Sequence, residues 1–307
     1  MKPKILLLFL FAISILAFSS CNKSSEKKSY KVIGVTLLKR GDIFYLDLEE
    51  ALKKEAAKLN YEIIVTSADF DLGKQIAQIE DFISRKVDAI VVCPVDSKGI
   101  GQGIIEANNA NIPVFTADIA AQEGKVVAHI ASDNVAGGRL AGEYLAKVLN
   151  GKGKVAVVNQ PAITSVLDRV QGFKEAIQKY PEIILVADVN GQGVRDRSLQ
   201  VTSDVLQSNP DLNGIFGIND ESALGALDAV QQLNKKDVAI VGYDATPPAA
   251  DAIMKETSLK ADVIQKPGLI GETTIQKIKD YFEGKQVPAV VPVAVGIVDK
   301  ESLSKNK

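Results

Sequence analysis

An α/β protein built from two doubly wound, parallel-sheet domains is predicted by three observations. Short apolar runs rich in β-branched residues recur about every 25–30 residues. Segments of helical period lie between them. The runs fall into two groups of four, divided near residues 131–134.

The first run, residues 31–36 (KVIGVT), leads to 44–59, where Phe44, Leu48, Leu52 and Leu59 share one side and Glu and Lys the other. Strands follow at 61–66 (YEIIVT), 89–93 (AIVVC) and 113–117 (PVFTA). The second group is 154–159 (KVAVVN), 183–189 (IILVADV), 214–218 (GIFGI) and 238–243 (VAIVGY). Near-continuous apolar strands of this length suit a parallel sheet covered on both faces. Helices are predicted at 134–149 and 165–179, and 198–208 stops before Asn209-Pro210. Repeated βα units imply right-handed crossovers and doubly wound domains.

Composition excludes several classes. The chain has 307 residues, 46% hydrophobic and 24% charged, the balance of a globular protein with a full core. Lys plus Arg total 36 against 38 for Asp plus Glu, so no excess positive charge exists to neutralise phosphates and no nucleic-acid partner is expected. The single histidine, His129, cannot build a His-rich zinc or catalytic site and reads as a strand residue, and no metal or cofactor is expected.

The N-terminus is a separate object. Lys2 and Lys4 precede an apolar run over 5–18, broken only by Ser14, too short to span a bilayer and matching a signal peptide over 1–20. Ser19-Ser20-Cys21 resembles a bacterial lipobox, in which Cys21 is lipidated. Residues 21–30 then form a polar tether. The other cysteine, Cys93, lies in an apolar run and is expected to be a buried thiol. The expected location is the periplasm or cell envelope, held at the membrane by lipid alone.

In parallel sheets ligands sit outside the carboxyl ends of the strands. The residues that follow the predicted strands are Thr36, Pro94, Asp118, Asn159-Gln160, Asn219-Asp220 and Asp244. Asp and Asn at such places also cap the next helix. Several at one edge of two sheets form a ring of hydrogen-bonding groups suited to a polyhydroxylated ligand.

Three stretches are more specific: 124–138 (GKVVAHIASDNVAGG), 219–227 (NDESALGAL) and 241–247 (VGYDATP). They resemble periplasmic ribose-type sugar-binding proteins, the solute-binding components of ABC transporters, and the similarity covers roughly 31–299. The resemblance implies the periplasmic binding protein type 1 fold, two α/β domains joined by a three-crossing hinge near Ser132, Gln265 and Ala294. The domains would be 31–132 plus 266–294, and 133–265 plus 295–307.

The resemblance also implies site residues. Asp42, Phe44 and Tyr45 match a segment whose aromatics stack on the sugar ring. Asp118, Arg169, Asn219, Asp244 and Gln265 match its polar ligand contacts. The Arg that follows the family's Asp is replaced by Ile119, the aromatic from the second domain has no counterpart in 190–193 (NGQG), and the loop 37–41 is about two residues longer. Ribose held in the usual way is therefore not expected. Either the ligand is less polar at that corner, as a deoxysugar, another hexose or a polyol is, or Lys39 or Arg40 supplies the cation, the first being the preferred reading.

Two tempting motifs fail. GxGxG at 99–103 lacks the spacing of a dinucleotide fingerprint. The stretch 150–154 (NGKGK) lacks the P-loop spacing and reads as a helix-ending turn. The expected function is capture of a monosaccharide or polyol by a monomer that delivers it to an ABC transporter permease. The alternative is a sugar-sensing lipoprotein that signals through a chemoreceptor or sensor kinase. An enzyme is not expected, because no convincing acid/base pair or metal cluster stands out.

Overall fold

The computed structural model describes residues 30–305. The expected leader, Cys21 and the tether up to residue 29 lie outside the described residues.

Twelve strands among the described residues form two six-stranded sheets. The first runs β11-β5-β4-β3-β1-β2, with β1 Val32–Leu37, β2 Glu62–Ser67, β3 Ala89–Val92, β4 Val114–Ala117, β5 Ala128–Ser132 and β11 Val290–Val293. The second runs β12-β10-β9-β8-β6-β7, with β6 Lys152–Asn159, β7 Glu182–Asn190, β8 Leu212–Gly217, β9 Ala239–Asp244, β10 Leu259–Ile264 and β12 Gly296–Asp299. Every pairing is parallel except β10 with β12. All six residues of β1 are buried, as a central strand covered on both faces requires. The edge strand β2 is only half-buried.

The helices that position the site start at the carboxyl edges of these strands. They are α1 (Ile43–Lys58), α4 (Asn134–Val148), α5 (Thr164–Ile177), α7 (Asp220–Gln232), α8 (Pro247–Met254) and α9 (Pro267–Phe282), with α2 (Leu72–Ser84), α3 (Gly101–Asn109) and α6 (Arg195–Ser208) completing the covering layers and α10 (Lys300–Lys305) closing the chain. Helix α9 packs on α1 and thus belongs with the first sheet. The chain passes between the halves three times: after β5, between β10 and α9, and between β11 and β12. Two crossings are tied together, because Ser132 Oγ donates to Gln265 Oε1 at 2.6 Å.

The eight anticipated strands are present. Four more, β5, β10, β11 and β12, were not anticipated as runs; β11 and β12 share one apolar stretch, 287–298, interrupted by Pro292. Strand β5 reads AHIAS, poor in β-branched residues, and His129 sits within it as expected. Strand β10 reads LKADVI and buries Asp262 completely, against the alternation that would put a carboxylate outside.

Helices α4 and α5 approach backbone to backbone. A Cβ on Gly138 would lie 1.9 Å from the Arg169 carbonyl oxygen, and one on Gly172 would lie 2.0 Å from that of Val135. The rims of the two halves also meet. Thr164 N donates to Ser97 Oγ and Ser97 Oγ donates to Thr164 Oγ1, both at 3.1 Å. Thr164 Oγ1 donates to the Ala120 carbonyl at 3.1 Å, and Ser97 N to that of Ala162 at 3.3 Å. Each hydroxyl thus both donates and accepts.

Candidate functional site

Between the carboxyl edges of the two sheets lies a cavity with ≈ 500 Å³ of atom-free space, counted to its open mouth. All eight residues singled out from the sequence line it: Asp42, Phe44, Tyr45 and Asp118 from the first half, and Arg169, Asn219, Asp244 and Gln265 from the second side and the hinge.

The first-half wall starts where β1 ends. Asp42 caps α1, accepting from Phe44 N at 2.8 Å, and pairs with Lys39 at 2.7 Å. The cap fixes the first turn, so Phe44 and Tyr45 turn inward and pack edge to face, with ring centroids 5.2 Å apart. The Tyr45 hydroxyl donates to Asp118 Oδ2 at 2.8 Å. Asp118 follows β4 with φ 67°, a left-handed conformation that aims its side chain across the cavity floor.

The second-half wall is organised by Arg169, only 4% exposed. Its Nε donates to Asn134 Oδ1 at 2.8 Å and its Nη1 to the Ile218 carbonyl at 2.7 Å. Nη1 also lies 3.8 Å from Asp244 Oδ1, and the guanidinium carbon sits 3.8 Å from the Tyr243 ring centroid. Gln265 Nε2 donates to the same Asp244 oxygen at 2.6 Å. The hinge, the β9 carboxylate and the α5 cation are thereby one network. Asn219 caps α7, its Oδ1 accepting from Ser222 N at 2.9 Å, while its Nδ2 donates to the Gly193 carbonyl at 3.2 Å. Each end keeps one unused hydrogen-bonding position, so capping leaves capacity for a ligand.

Burial dominates the electrostatics. It pushes the Asp118 carboxyl up to about 6, against the opposing pull of Arg169 and the Tyr45 hydrogen bond. Burial likewise raises Asp244, again against Arg169. The native chain therefore holds a proton at Asp118 that the unfolded chain has already released. That contribution to stability is whole below the ordinary Asp value and is lost as pH rises through about 6. Asp118→Asn is expected to remove one proton's worth of this slope, on the order of 3 kcal/mol across the window. Urea unfolding at a series of pH values checks it, and an unchanged slope would count against the assignment.

Sequence reasoning missed Phe70, Ile163 and Val166 among the lining residues. Phe70 projects from the loop after β2, where Asp69 and Phe70 both have positive φ. Lys39 lies 5.5 Å from its ring centroid and lines the cavity too. Arg40 turns away to Glu49 and the Val65 carbonyl, so it does not line the cavity. Gln160, Ile163 and Val166 complete the rim. Gln160 is one of the strand-end residues named from the sequence, whereas Phe70 has no local signal, because loop path alone puts it there. Ile119, at the corner expected to lack a donor, is 3% exposed and lines the wall.

This arrangement has counterparts. The periplasmic binding protein domain matches residues 33–286. The chain is 34% identical over 302 residues to the ribose import binding protein RbsB of Escherichia coli K12, covering 98% of this chain and 100% of that one. Its fold superposes with a TM-score of 0.82 on an ABC transporter solute-binding protein from Bacillus halodurans with bound myo-inositol, at 31% identity, covering 90% and 96% of the two chains. A TM-score of 0.85 relates it to the fructose-binding periplasmic domain of the hybrid two-component system BT1754, at 25% identity and covering 90% and 93%. A match over most of the chain, together with identity above 30% across a whole relative, places this chain in the periplasmic binding protein family.

Proposed function

We propose that this chain is a lipid-anchored solute-binding protein that captures a monosaccharide or polyol between two closing halves and delivers it to an ABC importer. The observation that carries this reading is the convergence of Asp118, Arg169, Asn219, Asp244 and Gln265 with two aromatics in one cavity between two sheets. Carboxylates and amides satisfy hydroxyls, and the Phe44 and Tyr45 rings offer apolar faces to the C–H face of a sugar. Closure about the three crossings would remove the ligand from water. The Cys21 anchor and tether would keep the monomer beside its permease.

A second reading has its own support. The likeness to the sensing domain of a hybrid two-component protein makes a signalling partner the alternative recipient of the closed form.

The test is a thermal-shift panel of D-ribose, D-allose, D-fructose, D-tagatose, xylitol and myo-inositol. A ligand at a hundred times its Kd adds about 2.7 kcal/mol of stability. One or two panel members should raise the melting temperature clearly. Asp118→Ala, Asn219→Ala and Asp244→Ala should each weaken that ligand by ~1–3 kcal/mol, roughly ten- to a hundred-fold. Ile119 offers no donor where the ribose type carries Arg, so D-ribose should gain from Ile119→Arg and the native ligand should not. No response to any of the six, or unchanged affinity in all three alanine variants, would remove the reading.

A further inference from the structure

Behind the cavity wall, two carboxyl groups lie side by side with no ion-pair partner among the described residues. Asp220 opens α7 and is 3% exposed, and Asp262 in β10 is fully buried. They accept from successive amides of one turn, which sets them side by side, and each acts electrostatically on the other. Asp220 Oδ2 accepts from Thr246 N at 2.7 Å and from the Thr246 hydroxyl. Asp262 Oδ1 accepts from Ala245 N at 3.2 Å. The remaining oxygens, Asp220 Oδ1 and Asp262 Oδ2, are buried and meet no donor among the described residues. Two ionised carboxylates so placed would repel and leave both oxygens unsatisfied, a costly state in a dry interior.

We propose that Asp220 and Asp262 share one proton, and that the resulting acid pair is a positioning device for the Asp244 turn. With the proton on Asp262, its hydroxyl donates to Asp220, and both stranded oxygens are satisfied at once. The outer oxygens then hold the two amides that follow Asp244. That turn needs holding, because Asp244 has φ 123° and Ala245 φ 57°, conformations that side chains other than glycine's disfavour. Asp244 is further fixed by Asp220 N, which donates to its Oδ2 at 3.4 Å, and by Gln265. The pair is thus linked through three residues of backbone to a carboxylate that faces the cavity.

The charged groups that face the pair are Asp244 at the end of β9 and Asp42 at the start of α1, with Arg169 of α5 acting on Asp244. Burial first, then the Asp220 charge, push Asp262 upward; Asp220 accepts from two donors of Thr246 and Asp262 from the Ala245 amide alone, so Asp262 is the member placed to keep the proton. Its contribution to stability is whole below the ordinary Asp value and is lost as pH rises through its folded-state value.

The test uses no sugar, so its failure is separable from failure of the binding reading. Infrared spectra of the whole mature protein at pH about 7, roughly three units above an ordinary Asp, should show a protonated-carboxyl stretch. Asp262→Asn should reduce that band, because an amide donates to Asp220 without a proton. Asp220→Asn is the second variant and should do the same. Asp262→Asn should also flatten the fall of stability with rising pH, by up to tenfold in the unfolding constant per pH unit. Hydrogen exchange at Ala245 and Thr246 should stay slow in Asp262→Asn and become fast in Asp262→Ala. A band unchanged in both Asn variants overturns the shared proton. Equal protection in Asp262→Ala overturns the positioning role.

Discussion

Arg169→Met is expected to cost about 3–5 kcal/mol of folding stability, the range for breaking a buried charge pair from one side. Methionine keeps the unbranched stem and much of the volume. It removes the donors to Asn134 and the Ile218 carbonyl and the cation beside Asp244. Asn134 Oδ1 retains one partner, the Tyr243 hydroxyl at 3.3 Å, whereas the Arg169 donor to the Ile218 carbonyl is lost. Arg169 is also what opposes burial at both Asp118 and Asp244. Without it both carboxyls rise further, so the deficit should shrink as pH falls and they protonate. Urea unfolding at pH about 7 and about 5 measures this. A loss under ~1 kcal/mol, equal at both pH values, would show that the guanidinium is not central to the network.

Gly138→Ala sets two known effects against each other. In an open helix the change gains about 1 kcal/mol through propensity. Here the new carbon would stand 1.9 Å from a backbone oxygen of α5, and neither backbone can swing aside as a flexible side chain would. Overpacking of this kind costs 1–3 kcal/mol or more, so the steric loss should win by about 2 kcal/mol. Gly172→Ala should behave alike, because its carbon meets α4 at 2.0 Å. Gly268→Ala is the control: nothing lies within 4 Å, and this position on α9 should gain up to about 1 kcal/mol. Denaturation midpoints of the three variants decide it. Since α5 carries Arg169, the first two should also lose ligand affinity, and a Gly138→Ala protein as stable as its parent would refute the close-contact argument.

The parts that were legible in the sequence are those with local causes. Central strands announce themselves because both faces need apolar, β-branched side chains, as in β1 and β3. Site residues at strand ends were legible because the sheet edge and the helix cap demand polar residues there, as at Asp118, Asn219 and Asp244. Strands β11 and β12 were not found as runs, since four-residue edge strands bury little; Val290 is 62% exposed. Asp262 was not legible because its burial is set by a partner 42 positions away on α7. Phe70 reached the cavity through loop geometry, which no period in the sequence encodes, whereas Lys39 lines it as the longer first loop allowed.

The rim contacts of Ser97 and Thr164 are made by side chains that do not themselves line the cavity, and that separation has a consequence for retention. In a cleft that closes on its ligand, apparent Kd equals the intrinsic value divided by the closed fraction. Four hydrogen bonds at about 0.5–1.5 kcal/mol each act on that fraction alone. They multiply the affinity of every ligand by the same factor and leave the ranking of ligands unchanged. Tightening them would lengthen residence times, and loosening them would speed release to whatever receives the cargo. Selectivity and dwell time are therefore written in different residues, so either could drift in evolution without disturbing the other.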